Sequence, residues 1–203
     1  MWALVTDGSI TKIINQPKAL VIGDTQYSRN IFSFRWSNAE REAIGIYEVV
    51  FDNTNKKDEA YYINTNQTFA FADGIVTASF GSPTAKALAD TLFTAQDEID
   101  GKGTEGEVAA RGLKFQHKER IKKQAASELS NTDWYVTRKA DAGTAVPSAV
   151  TTHRAAVRTR SNEMETAIDN AADVDALAAL YEYTRQEDGS HTRPLGEFPV
   201  LEI

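Results

Sequence analysis

No cysteine occurs anywhere in the 203 residues, which removes disulfides, thiolate metal sites and a cysteine nucleophile together. Stability therefore has to come from packing. No stretch approaches the roughly 18–20 apolar residues of a membrane span, and Met1 to Thr6 alternates residue types instead of showing the basic start and apolar run of a secretion signal. The three histidines, His117, His153 and His191, are too far apart for a helical i, i+4 zinc pair. Gly101-Lys102-Gly103-Thr104 lacks the earlier glycine, the Lys-Ser/Thr order and the preceding strand of a phosphate loop, and no Gly-x-Ser-x-Gly elbow occurs. With 22 Lys and Arg against 29 Asp and Glu, the net charge of −7 disfavours broad binding to a phosphate backbone. Neither nucleic acid nor a membrane is expected as a partner, and no catalytic residue, cofactor or metal is read from the sequence. Glu40, Glu42, Asp58 and Glu59 are the first acids that a glycosidase pair would draw on, but solvated surface is their ordinary role.

Apolar residues make up 41% of the chain, sufficient for a packed core. Up to about Gly81 the punctuation is that of a sheet. Trp2 to Thr6 and Ile10 to Ile14 flank Asp7-Gly8, a pair able to take positive φ, and this predicts a hairpin. Short strands are expected at Ala19–Ile22, Ile46–Asp52, Tyr61–Asn64, Thr68–Phe71 and Ile75–Phe80, the last two joined by Asp73-Gly74, and the bulky residues of Ile31–Trp36 also alternate. Ser37 and Glu40 form a capping-box pair for a short helix ending at Gly45. Ser82-Pro83 predicts the start of a helix reaching Ile99.

Beyond this point helical periodicity takes over. Leu113, His117, Ile121, Ala125 and Leu129 step by four, while Lys114, Lys118, Lys122 and their neighbours make the rest of that face basic. A second long helix is expected after Ser148, with Val150, Val157, Met164 and Ile168 on one stripe, and a shorter one after Asp173. The predicted class is α+β. A small antiparallel or mixed β-rich module at 1–100 is followed by a Gly-rich linker at 101–104, a helical module at 105–184 and an extended tail at 185–203. In that tail Leu195, Phe198 and Leu201 sit among prolines, either strapped onto their own domain or offered to a partner.

Between the two long helices stands Thr132-Asp133-Trp134, an acid and a large indole at a helix corner, followed by Arg154 and Arg158. The expectation is that Asp133 caps the incoming helix and faces Arg154 or Arg158, while Trp134 fills the groove between the helices. The run Leu129-Ser130-Asn131-Thr132-Asp133-Trp134-Tyr135-Val136, then Pro147, then His153-Arg154-Ala155-Ala156-Val157-Arg158, resembles the tail assembly chaperones of tailed bacteriophages, with His153 at a position usually aromatic. Asn30-Ile31-Phe32-Ser33, Trp36-Ser37 and Ala43 to Val49 are similar to the N-terminal segment of phage tail-associated proteins.

The resemblance implies a non-enzymatic protein that binds a tail fibre, tail tip or baseplate component, helps its assembly in the host cytoplasm and can remain in the virion tail. Such a protein works by masking apolar or strand-edge surface on an immature partner. The contact candidates are Leu195, Phe198 and Leu201 together with the basic helix carrying Lys114, Lys118 and Lys122. Two other readings stay open: a purely structural, homo-oligomeric virion protein, and a glycan-binding module using Trp2, Tyr27, Trp36, Tyr61 and Tyr62.

Overall fold

Asp7 and Gly8 both adopt positive φ, 51° and 75°, as do Asp73 and Gly74 at 50° and 76°. Two such residues in succession give the tight turn whose twist matches that of the strands it joins. In the computed structural model, which describes residues 1–201, the first of these turns connects β1 (Trp2–Thr6) to β2 (Ser9–Ile14). The chain continues through β3 (Leu20–Ile22), β4 (Thr25–Tyr27), a 3-10 turn at Arg29–Phe32, α1 (Asn38–Glu42), β5 (Ile46–Asp52) and β6 (Tyr62–Ile63). The second turn joins β7 (Thr68–Ala72) to β8 (Ile75–Ser79). The fold is α+β, with a β-rich first part and its long helices in the second. It divides into two compact units, Met1–Thr84 and Ala85–Ile203.

Five strands of the first unit form one sheet in the order β2-β1-β5-β8-β7. It is mixed: β5 and β8 run parallel, Val49 opposite Val76, and the other pairings are antiparallel. Alternation along the strands sends Ala3, Val49, Val76 and Ala78 to one face, where Phe69, Phe71 and Tyr47 pack on them. Ile14, Leu20, Ile31 and Ile46 form a second cluster with Trp2, Leu4, Tyr27 and Trp36. Trp2 lies against Phe32 with ring centroids 4.7 Å apart, and Tyr27 meets Trp36 edge-on at 6.4 Å. These aromatic residues of the proposed glycan platform are therefore engaged in core packing.

The alternation of Ile31–Trp36 does not yield a strand. Ser28 accepts the Asn30 amide and starts the 3-10 turn, while the Arg41 guanidinium donates to the carbonyls of Ile31, Ser33 and Trp36 at 3.2, 3.4 and 2.7 Å. Those carbonyls are thus satisfied without a neighbouring strand. The Ser37–Glu40 capping box forms as expected, and Gly45 ends the helix region at φ 80°, where an added Cβ would stand 2.6 Å from the Val5 carbonyl oxygen.

In the second unit the expected helix from Ser82-Pro83 to Ile99 forms only at its end. After β9 (Thr84–Ala85) and β10 (Thr91–Leu92), α2 covers Ala95–Ile99 behind a Thr94–Asp97 capping box. The preceding residues serve a different helix. Following β11 (Val108–Ala110), α3 (Leu113–Ser130) begins at Gly112, which has no side chain to cap with. Asp90 accepts the Gly112 amide at 2.8 Å, and the Ala87 and Leu88 carbonyls accept the Leu113 and Lys114 amides at 2.9 and 3.0 Å. Capping these three amides, which have no intrahelical acceptor, outweighs the helical preference of the 83–94 segment. A Cβ on Gly112 would collide with the Ala89 backbone.

Gly101–Thr104 is consequently not a joint. It is the turn after α2, tied down by the Lys102 amide on the Asp97 carbonyl at 2.8 Å and by Lys102 Nζ on Asp97 and Asp100 at 3.0 and 3.1 Å. Nor does the second unit begin as an all-helical module, since β10 pairs with β11.

α3 is followed by α4 (Asp133–Ala142), α5 (Ser148–Asn170) and α6 (Val174–Ala179). α3 and α5 run antiparallel, Lys118 beside Asp169 and Leu129 beside Arg154. Their facing stripes supply the core: Leu113, His117, Ile121 and Ala125 against Val150, His153, Val157, Ser161, Met164 and Ile168. Leu177 and Leu195 complete it. The tail is less extended than expected: β12 (Thr184–Arg185) and β13 (His191–Thr192) pair as a hairpin before it docks, and its last two residues lie outside those described.

Candidate functional site

The corner between α3 and α4 turns on Thr132, only 2% exposed. Its hydroxyl donates to the Leu129 carbonyl at 2.9 Å and accepts from Arg154 Nη1 at 2.7 Å. The same Nη1 reaches the Leu129 carbonyl at 2.8 Å and Asp133 Oδ1 at 2.8 Å. One guanidinium, its side chain 11% exposed, thus satisfies a carbonyl at the end of α3 and pairs with the carboxylate of the first residue of α4. The expected Asp133–Arg154 pairing is present; Arg158 instead donates to the Arg154 carbonyl at 3.3 Å. Thr132 gives α4 no side-chain cap, because its hydroxyl is turned back toward α3.

Trp134 does not fill the interhelical groove. It is 51% exposed, and α4 buries none of its ten residues. Thr132 is drawn into the corner, and two residues further on a helix lie about 200° around the axis, so Trp134 faces away. Outside, its ring stacks on Tyr135 with centroids 3.7 Å apart. The Arg138 guanidinium sits 4.8 Å from the Trp134 ring and 5.4 Å from that of Tyr135. Beside this platform a groove of about 360 Å³ runs between α4, the following loop and α5, lined by Val136, Val146, Lys139 and Arg158 among others. Its surface combines exposed apolar groups with cations.

The basic helix is committed elsewhere. Lys114 Nζ donates to the Asp169 carbonyl at 2.8 Å, Lys118 Nζ pairs with the Asp169 carboxylate at 2.8 Å, and Lys122 Nζ lies 3.2 Å from Glu119 and 3.8 Å from Glu165. Three lysines expected to meet a partner join α3 to α5, although partly exposed pairs of this kind contribute only about 0–1 kcal/mol each.

Leu195 is also internal, 2% exposed, its amide donating to the Leu180 carbonyl at 2.9 Å. Arg160 holds the strand from the other side, with Nη2 on the Leu195 carbonyl at 2.8 Å and Nε on the Glu197 carbonyl at 3.2 Å. Phe198 and Leu201 are half-buried. The tail is a strap on its own unit, whereas Trp134, expected inside, is half exposed.

Arg138, and the burial of Thr132, were not anticipated from the sequence. The i, i+4 spacing of Trp134 and Arg138 was available as a signal, since it predicts a cation beside an indole on one helix face. Nothing in the sequence marks Thr132 for burial ahead of the larger residues beside it. No protein-family model, curated protein or solved structure matches this chain.

Proposed function

We propose that this chain is a non-enzymatic tail-associated protein of a tailed bacteriophage, which binds a tail fibre, tail tip or baseplate component and assists its assembly. The observation that carries the reading is the α4 surface: an exposed Trp134 ring tilted against half-buried Tyr135 and Arg138, on a helix without a fully buried residue and joined at its start to Arg154. Large aromatic groups and arginine contribute most to the energy of protein interfaces, because they bury much area at little entropic cost. The Asp-Trp corner and its following arginine, on which the family resemblance rests, frame this surface. Such a face can shield an apolar patch on an unassembled partner until the partner's own contacts replace it.

A photo-crosslinking residue introduced in place of Trp134 in infected cells tests the proposal, with products identified by mass spectrometry. A crosslink to a tail structural protein, lost when the probe stands at exposed Asp141 instead, is the expected result. Crosslinks confined to a second copy of this chain would instead favour the oligomeric structural reading, and an absence of any crosslink would remove the assembly role.

A further inference from the structure

Charge is unevenly spread over the second unit. Residues 132–161 carry five Lys and Arg against two Asp, although the whole chain has 22 Lys and Arg against 29 Asp and Glu. Two of these five cations are answered internally: Arg154 pairs with Asp133 at 2.8 Å, and Arg160 with Glu163 at 2.8 Å. Among the described residues, Arg138, Lys139 and Arg158 have no carboxylate within ion-pair distance. Lys139 and Arg158 are exposed and stand on the two helices bordering the groove of about 360 Å³ beside Trp134. Val136, Ala145 and Val146 give this groove an apolar lining, and among the described residues that line it none is acidic. Val136 alone is 45% exposed. The groove is held in shape: Arg154 joins the start of α4 to α5, Gly143 ends α4 at φ 70°, and the chain returns through Pro147. A surface ordered in advance loses little entropy when it is occupied.

We infer that this groove takes a short extended segment of the partner protein in which carboxylates flank an apolar side chain. The inference rests on the reading of α4 as the partner-binding surface and adds the chemistry of what is bound. The apolar side chain packs on Val136, Ala145 and Val146, while the flanking carboxylates meet Lys139 of α4 and Arg158 of α5. Arg138, beside the Trp134 and Tyr135 rings, extends the positive field beyond the groove. Complementary charge of this kind fixes register and rejects wrong partners, and the apolar contact supplies the anchor. A nucleic-acid strand fits less well. Three open cations on a chain of net charge −7 release few counterions, and the apolar lining offers nothing to a phosphate.

An acetylated, amidated pentapeptide with a central leucine between pairs of glutamates is the main probe. Its counterparts carry glutamine for glutamate, or serine for leucine, and a short thymidine oligonucleotide completes the set. Each is titrated into the isotopically labelled full-length protein and followed through the amide resonances of Val136, Lys139 and Val146. The glutamate–leucine peptide is expected to shift all three saturably, and each counterpart peptide to bind about tenfold more weakly or less, the effect of losing one charge-assisted bond or one apolar anchor. Lys139→Glu combined with Arg158→Glu, both at exposed positions, is expected to abolish that binding and to take a lysine–leucine pentapeptide instead. Should the reversal disturb folding, Lys139→Gln with Arg158→Gln is expected to weaken the glutamate–leucine peptide about tenfold. Equal binding of the glutamate and glutamine peptides, no saturable shift, tighter binding of the oligonucleotide, or indifference to the double variants would overturn the inference. So would movement of the same resonances with protein concentration alone, which would assign the groove to a second copy of the chain. The crosslinking test reads a separate point. A tail-protein crosslink from the Trp134 position beside equal peptide binding keeps the assembly role and removes the acidic segment; selective peptide binding with no crosslink does the reverse.

Discussion

Arg154 Nη1 lies 2.7 Å from the Thr132 hydroxyl oxygen, and this contact, not the neighbouring indole, closes the corner between α3 and α4. Thr132→Val keeps the shape and deletes the hydroxyl. It is expected to cost about 1–3 kcal/mol, the penalty of a buried charged donor losing a partner. Trp134→Ala, by contrast, removes a half-exposed ring and is expected to stay within about 0.5 kcal/mol of the parent. Urea unfolding of the two variants measures the contrast; the reverse order would return the indole to the role of interhelical wedge.

Ile168 and Leu177 are both fully buried. Truncating either to alanine leaves a cavity and is expected to cost about 2–5 kcal/mol. The loss should appear in the cooperative melting of the second unit, followed by circular dichroism.

Gly196 and Gly143 share nearly the same backbone, φ 71° and 70°, but differ in surroundings. Around Gly143 an added Cβ meets nothing within 4 Å, whereas at Gly196 it would strike the Arg160 guanidinium. Gly143→Ala is expected to cost only the left-handed backbone penalty of about 1 kcal/mol. Gly196→Ala should cost more and loosen the strap, visible as faster amide exchange at Leu195.

His117 is buried with Nδ1 2.7 Å from the Tyr181 hydroxyl. Burial, reinforced by Arg120, holds its pKa below the ordinary 6.5. The unfolded chain therefore takes up this proton first as the pH falls, so ν_U exceeds ν_N and stability rises with pH in that interval. The contribution is complete above 6.5, declines as acidity passes that value toward the depressed folded pKa, and is flat beyond it. His117→Gln is expected to remove this slope from the pH profile of urea unfolding.

Asp97 accepts from the Thr94 amide and hydroxyl and from Lys102, which together bring its carboxyl down to about 2. Thr94→Ala removes only the hydroxyl contribution. Carboxyl carbon NMR titration should show Asp97 moving upward while staying below 3.8, the ordinary value.

Local chemistry read well from the sequence where a short motif fixes a backbone shape. The Asp-Gly turns and the Ser37–Glu40 box formed where expected, as did β5 over Ile46–Asp52. The failures came where a distant element decided. The 83–94 segment has helical spacing, yet α3 needs its carbonyls and Asp90 as a cap. The basic face of α3 was legible, but not that Asp169 and Glu165 of α5 would be the acids beside it. At the corner the pairing of Asp133 with Arg154 was legible from charge, but the direction of Trp134 depends on which neighbour is drawn inward, and size suggested the wrong one.

The parallel seam between β5 and β8 divides the first sheet into two parts that each close locally, one through the Asp7-Gly8 turn and one through Asp73-Gly74. The connecting residues 53 to 60 are all exposed. A chain severed in that stretch keeps every hairpin intact and loses, besides covalent continuity across the seam, loop contacts such as the Lys57 amide on Asn64 Oδ1. The first unit is thus suited to fragment complementation: two separately expressed pieces should find each other through Val49 and Val76, at a rate set by their concentration.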